Sequence, residues 1–358
     1  MTKIITRTMN QRIILSQDLE AELTSAVSDC EHDKIFILTD TVTNKLCLPV
    51  IKDYPCLVNA TVITIGSSDM EKTLDSTVHV WQCLQQGGAT RHSLLINLGG
   101  GMVTDLGGFA AGTFKRGLNF INIPTTLLSM VDASVGGKTG INFGGLKNEI
   151  GVFNDSRYVI LCTGFLKTLD DENIRSGYAE MLKHGLIATP ELWRELVTFD
   201  ITRPDLRTLQ RMVADSVAVK ERVVTEDPHE NGIRKALNLG HTMGHAFESW
   251  AMKKRRPILH GYAVAYGLIP ELYLAVIKTG FPVEVMREAV RYIRDVYGML
   301  PITCDDYPEL LELMTHDKKN TAGVINFTLL GGIGDIRINQ TATAKEMEEA
   351  LDFMREGC

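Results

Sequence analysis

The sequence predicts an α/β domain followed by an all-α domain. Three observations carry this expectation. Short β-branched runs alternate with helical patterns through the first half, as in a parallel sheet with crossover helices. From about residue 171 to 315 the patterns are nearly all helical, cut by Gly and Pro near 189, 203, 228, 232, 257 and 280. The 358 residues exceed what one small core organises, so two domains are the default. The change of pattern places the boundary near 165–175 and gives domains at 1–168 and 169–358.

In chain order, Lys34–Thr39, Ser93–Leu98, Leu118–Ile123 and Tyr158–Leu161 read as buried strands, with a helical pattern over 70–86 among them. Val324–Leu330 and Asp335–Asn339, parted by GGIG, read as a short hairpin. The most apolar stretch, 261–277, carries Pro270 and Glu271 and is shorter than a bilayer requires, so it reads as a core helix. The start shows no long apolar run after its basic residues and does not read as a secretion signal. Seven scattered cysteines without a CxxC pair read as reduced thiols of a cytoplasmic protein. Hydrophobic residues at 44% exclude a disordered chain. A net charge of −7 argues against nucleic-acid and anionic-membrane partners.

Three segments carry chemistry. The strand ending in INL runs into GGGMVTDLGGF at 99–109. Glycines at a strand-to-helix turn let backbone amides approach a phosphate, and the helix N-terminus adds positive potential. The spacing is not GxGxxG, and a plain tight turn fits it too. Asp105, one turn into that helix, suits a sugar hydroxyl or a cap. The second segment, 124–148, places Thr125 and Thr126 just after a strand end and Lys138 and Lys147 among glycines, where an ammonium suits a phosphate. GGKTG does not complete a P-loop, because Asp132 stands five before Gly137. The third is NLGHTMGHAFE, which puts His241 and His245 on one helical face. Thr242 replaces the glutamate of HExxH, which disfavours a zinc protease. His260 follows in LHGYAVAYG, and Glu180 and Lys183 lie in SGYAEMLKHG. Two imidazoles and a carboxylate make a catalytic-zinc ligand set, but spacing does not select which two of three histidines bind.

Taken together and in order, these segments resemble the 3-dehydroquinate synthase family of the sugar-phosphate cyclases. The resemblance rests on GGGMVTDLGGFAAGTFKRG, IPTTLLSMVDASVGGKTGIN, GLKNEIGVF, SGYAEMLKHG, LNLGHTMGHAFE, LHGYAVAYG and DKKN, and runs from about residue 39 to 330. It implies a Rossmann-like N-terminal domain and an α-helical C-terminal domain, with the active site in the cleft between them. It also implies bound NAD⁺, a divalent zinc or cobalt ion and a homodimer. By position, Glu180, His241 and His260 match the metal ligands. His245 matches a histidine assigned to proton transfer or phosphate contact, and Glu230 another proposed proton acceptor. Lys138 and Lys183 are placed with the catalytic set. Asp40, Glu71, Lys72, Gly100, Gly101, Asp105, Thr125, Thr126, Lys147 and Phe165 through Thr168 match dinucleotide contacts. Arg116, Asp132, Lys138, Asn148, Lys183, Lys220, Arg234, Asn238 and one of Lys318 and Lys319, with Lys318 favoured, match substrate contacts. Two departures stand out: Tyr262 where many relatives have an acid, and Pro270 interrupting a helix that is often alanine-rich.

The activity this implies converts 3-deoxy-D-arabino-heptulosonate 7-phosphate to 3-dehydroquinate and phosphate. Transient oxidation of a secondary alcohol acidifies the neighbouring C–H, phosphate leaves, the cofactor is regenerated, and an intramolecular aldol reaction closes the ring. An anionic substrate needs cations: Lys138, Lys318 and Arg116 suit its phosphate, and Arg234 and Lys220 its carboxylate. Those cations predict a locally positive site on an acidic chain, with affinity falling as salt rises. The rivals are another sugar-phosphate cyclase, a metal-dependent polyol dehydrogenase and a non-catalytic relative that kept the scaffold.

Overall fold

The computed structural model describes residues 3–7, 11–144, 146–315 and 325–356. The chain forms two compact units. The first is Met1–Asp170 with Asp205–Glu221, and the second is Asp171–Pro204 with Arg222–Cys358.

The first unit is built on strands β1 (Lys3–Arg7), β2 (Arg12–Leu15), β3 (Ile35–Asp40), β4 (Thr61–Ile65), β5 (Leu94–Gly99), β6 (Asn119–Pro124) and β9 (Tyr158–Leu161). They pair in the order β1-β2-β9-β6-β5-β3-β4. β1 and β2 are antiparallel, and every other pairing is parallel. All six residues of β3 and of β5 are buried, which is why these strands read as unbroken apolar runs without alternation. Helices α1 (Leu19–Asp29), α2 (Thr41–Leu46), α3 (Leu48–Ile51), α4 (Leu74–Gln86) and α5 (Gly101–Thr113) lie between the strands. Helix α5 packs closely because its glycines leave room: a Cβ on Gly107 would meet the side chain of Asn97 on β5. Strand order reverses between β3 and β5, so the crevice beyond their carboxyl ends is the expected ligand site of an open α/β sheet. The segment read as glycine-rich loop instead forms a second hairpin, β7 (Lys138–Phe143) with β8 (Leu146–Phe153).

The second unit is helical: α6 (Asp171–Ala188), α7 (Pro190–Thr198), α9 (His241–Lys253), α10 (His260–Thr279), α11 (Val283–Tyr297), α12 (Tyr307–Thr315) and α13 (Ala344–Glu356). A hairpin of β10 (Phe327–Gly332) and β11 (Asp335–Gln340) joins them. Helix α8 (Leu206–Glu226) has its residues up to Glu221 in the first unit and the rest in the second. Three helices that carry site candidates touch through glycines. A Cβ on Gly244 of α9 would come 2.9 Å from the Ala263 oxygen of α10. One on Gly261 of α10 would come 2.6 Å from the Ser176 Cα of α6, and closer still to that residue's carbonyl. Helix α10 also continues through Pro270, where the sequence suggests an interruption. Proline removes one helical donor. Burial of Gly267–Leu272 on all sides supplies tertiary packing that overrides the local preference. Among the described residues, no helix is long and apolar enough to cross a membrane.

Candidate active site

In the first unit, the candidates collect at the carboxyl ends of the parallel strands. Gly100 and Gly101 open α5, and no side chain caps that helix. Its first-turn amides therefore keep their capacity for an anion. A Cβ on Gly100 would come 3.0 Å from Thr126, and one on Gly101 would come 3.2 Å from the Ala133 Cβ, so glycine keeps this cradle open. Thr125 is buried and its hydroxyl has no hydrogen-bond partner. An orphaned buried hydroxyl beside an uncapped helix start at the switch point fits a dinucleotide. Asp40, at the end of β3, accepts from the Val42 and Thr43 amides at 2.7 and 2.9 Å and so caps α2. The Thr168 hydroxyl donates to the Phe165 carbonyl at 2.7 Å, closing the turn after β9. Glu71 packs over Gly66, and Lys147 pairs with Asp69 at 2.8 Å.

Lys72 is buried, and its ammonium binds Asp105 at 2.5 Å and also Asn148. Burial pushes the Asp105 carboxyl up against the pull of Lys72. Lys220 donates to the Asp132 carboxylate at 2.6 Å and to its backbone carbonyl at 2.5 Å, although 88 residues separate them. Asp105, Lys138, Asn148 and hairpin residues Gly140, Gly151 and Phe153 line an open cavity of about 210 Å³. Arg116 is exposed and ends the short turn Phe114–Arg116. Arg116, Asn148 and Glu230 all hold positive φ, at 71°, 51° and 60°. Left-handed backbone at non-glycine residues is costly and clusters at functional sites.

In the second unit, Glu180 on α6, His241 on α9 and His260 on α10 converge, with ligand atoms all within 4.8 Å of one another. Each Nε2 lies 3.3 Å from Glu180 Oε1. The other ring nitrogens settle the tautomers. His241 Nδ1 faces the Leu239 carbonyl at 3.1 Å, and His260 Nδ1 faces the Glu248 carboxylate at 3.5 Å. Both partners only accept, so each Nδ1 carries the hydrogen. Two Nε2 atoms this close to one carboxylate oxygen call for a positive charge among the three, supplied by a proton on a ring or by a cation. Burial holds His241 down to about 4. Burial opposes charge on His260 too, but Glu180 and Glu248 push it up to about 10. Burial alone would raise the Glu180 carboxyl, yet Lys183 and His241 hold it well below its ordinary value. This donor set fits a divalent cation: a carboxylate, two oriented imidazoles and an outer carboxylate. Lys183 pairs with Glu180 from one turn on.

His245 stands beside this group, its ring 5.4 Å from His241 and 6.0 Å from His260. Asn238 donates to Glu230 at 2.9 Å, and buried Arg234 donates to the Pro228 carbonyl at 2.6 Å. Lys318 and Lys319 lie outside the described residues. Sequence reasoning missed three carboxylates. Asp227 accepts from the amides of Asn231, Gly232 and Arg234 at 3.0, 2.6 and 3.1 Å and shapes the loop bearing Glu230 and Arg234. Glu248 was legible as the third member of an i, i+4, i+7 stripe with His241 and His245. Glu271 gave no local signal.

Residues 62–176 match the family model described as 3-dehydroquinate synthase N-terminal, and residues 177–320 match that described as 3-dehydroquinate synthase C-terminal. The chain belongs to the 3-dehydroquinate synthase family. A 3-dehydroquinate synthase of Parabacteroides distasonis is 53% identical over 346 residues, covering 97% of this chain and 98% of that protein. A solved 2-deoxy-scyllo-inosose synthase, complexed with carbaglucose-6-phosphate, NAD⁺ and Co²⁺, shares the fold at a TM-score of 0.88 and 21% identity over the full length of both chains. So does ValA, a 2-epi-5-epi-valiolone synthase from Streptomyces hygroscopicus with NAD⁺ and Zn²⁺ bound, at 0.84 and 24% over 98% of each. The family's two-part architecture is the one described above: a parallel sheet with helices, then a helical unit.

Proposed function

We propose that this enzyme is a 3-dehydroquinate synthase, converting 3-deoxy-D-arabino-heptulosonate 7-phosphate to 3-dehydroquinate and phosphate in the shikimate pathway. The observation that carries the reading is the convergence of Glu180, His241 and His260 on one cation seat in a chain of this family. Residues 1–168 would hold NAD, with Asp40, Glu71, Lys72, Gly100, Gly101, Asp105, Thr125, Thr126, Lys147, Phe165 and Thr168 as its contacts. Residues 169–358 would bind metal and substrate, with Asp205–Glu221 lent to the first unit. When bound, the nicotinamide supplies reversible oxidation of an alcohol, and the cation supplies Lewis acidity toward its oxygen. The chain's own residues do the rest. Lys138 and Arg116 hold the phosphate, Arg234 and Lys220 the carboxylate, and Asp132, Asn148, Lys183 and Asn238 orient the hydroxyls. His245 and Glu230 move protons. The leaving phosphate can act as its own base, so fixing a reactive geometry is much of the protein's task. We also infer a cytoplasmic homodimer in which Arg116 serves a partner's site; a fully active monomer would remove that idea.

Phosphate release from the seven-carbon substrate tests the reading. Release is expected to stop with a chelator, return with Zn²⁺ or Co²⁺, and leave no net NADH. Steady NADH from glycerol or glycerol phosphate without phosphate release would instead make this a polyol dehydrogenase. Lys138→Ala tests the phosphate assignment. A lost charge-assisted hydrogen bond is worth about 1.5–3 kcal/mol. The KM for substrate should therefore rise about 10- to 100-fold while NAD affinity holds. Unchanged affinity and turnover would refute the assignment.

A further inference from the structure

The geometry points to Glu271 as a positioning residue of the metal centre, a buried carboxylate on α10 that fixes the start of α9 and with it His241. The inference rests on the metal-site reading above.

Helix α9 begins at His241, directly after Gly240, which is left-handed at φ 78° and offers no side chain to cap it. The first-turn amides of a helix have no partners within the helix. Here two of the amides at this start find one carboxylate. Glu271 Oε2 accepts from Gly240 N at 2.6 Å, and Oε1 accepts from Met243 N at 3.0 Å. The two amides flank His241. Glu271 is wholly buried and comes from thirty residues further along the chain. A charge so deeply buried is costly unless it is fully hydrogen-bonded, and a helix N-terminus stabilises it.

The same helix that supplies Glu271 begins with His260, three turns earlier. One rigid helix therefore carries one imidazole and grips the backbone that carries the other. Between them Gly267 presses on α9: a Cβ there would come 2.6 Å from Gly244 N, and closer to the Gly240 oxygen. The spacing of the two Nε2 atoms is thus set by a carboxylate clamp and a glycine contact, both outside the ligand set.

The test is cobalt binding to the intact protein, read by chelator competition and by the visible Co²⁺ spectrum, with NAD affinity and circular dichroism measured alongside. Glu271→Gln keeps one acceptor oxygen but turns a donor toward an amide. It is expected to keep the fold and NAD affinity, to bind Co²⁺ about 10- to 100-fold more weakly, the range for outer partners of metal ligands, and to shift the spectrum. Should Glu271→Gln fail to fold, Glu271→Asp, which keeps the charge but withdraws it by one methylene, is read the same way. A folded variant with wild-type affinity and spectrum overturns the inference, as does loss of fold in both, which would make Glu271 a cap and no more. Wild-type protein that binds no Co²⁺ would overturn the metal-site reading itself.

Discussion

His260→Ala is expected to fold and to lose phosphate release by about 10³-fold or more. A Lewis acid at the reacting oxygen supplies several kcal/mol of transition-state stabilisation, and each 1.36 kcal/mol is tenfold in rate. Removing one of three donors also takes from buried Glu248 the imidazole that faces it at 3.5 Å. The matching His241→Ala should be similarly impaired, and the double variant little worse than either, because donors to one ion act as a unit. His245→Ala separates the roles. It lies beside the three but outside their ligand group, so it should retain the ion at full stoichiometry. Its turnover should fall by the roughly 10²–10⁴ typical of a lost proton-transfer group. Metal analysis of each purified variant beside its phosphate-release rate checks all four. His260→Ala that keeps both ion and turnover would remove it from the ligand set.

What the sequence made legible followed from local pattern. Continuous apolar runs located β3, β5, β6 and β9 to within a residue or two, because strands buried on both faces need no alternation. The i, i+4 spacing put His241 and His245 on one face, but the choice between three imidazoles depended on which ring faced Glu180 from another helix. That is a fact of packing, invisible to spacing. The β7–β8 hairpin was read as loop, because its glycines serve close strand contact there: a Cβ on Gly140 would come 2.6 Å from the Ile150 carbonyl across the ladder. Glu271 and the Lys220–Asp132 pair had no short-range signature at all. Their partners lie about thirty and 88 residues away, and a buried carboxylate announces itself only once its surroundings are known. The candidate ligands sit on helices of recognisable period, whereas the carboxylates around them come from wherever the packing brings them.

Gly267→Ala should be among the most damaging single methyl additions in the second unit. Glycine is at this position for space and not for backbone freedom. The added Cβ would meet the Gly240 oxygen and the nitrogen and Cα of Gly244, and all three are backbone that no side-chain rotation can clear. Helices α9 and α10 would have to part, which breaks the Glu271 cap and moves His241 away from His260. Overpacking of this kind reaches about 4 kcal/mol or more only where backbone blocks relief, and a shift near 1 Å at a reacting centre can cost about 10² in rate. Gly280→Ala is the comparison that isolates the cause. That glycine ends the same helix at φ 76°, and a Cβ there meets nothing within 4 Å. Its cost is left-handed strain alone, about 1–2 kcal/mol, with Co²⁺ affinity unchanged. Denaturant midpoints and Co²⁺ titrations of the two variants decide the matter. If Gly267→Ala proves no worse than Gly280→Ala on both, the helix contact is not what holds the imidazoles in place. The spacing of the metal ligands would then have to be set by the carboxylates alone.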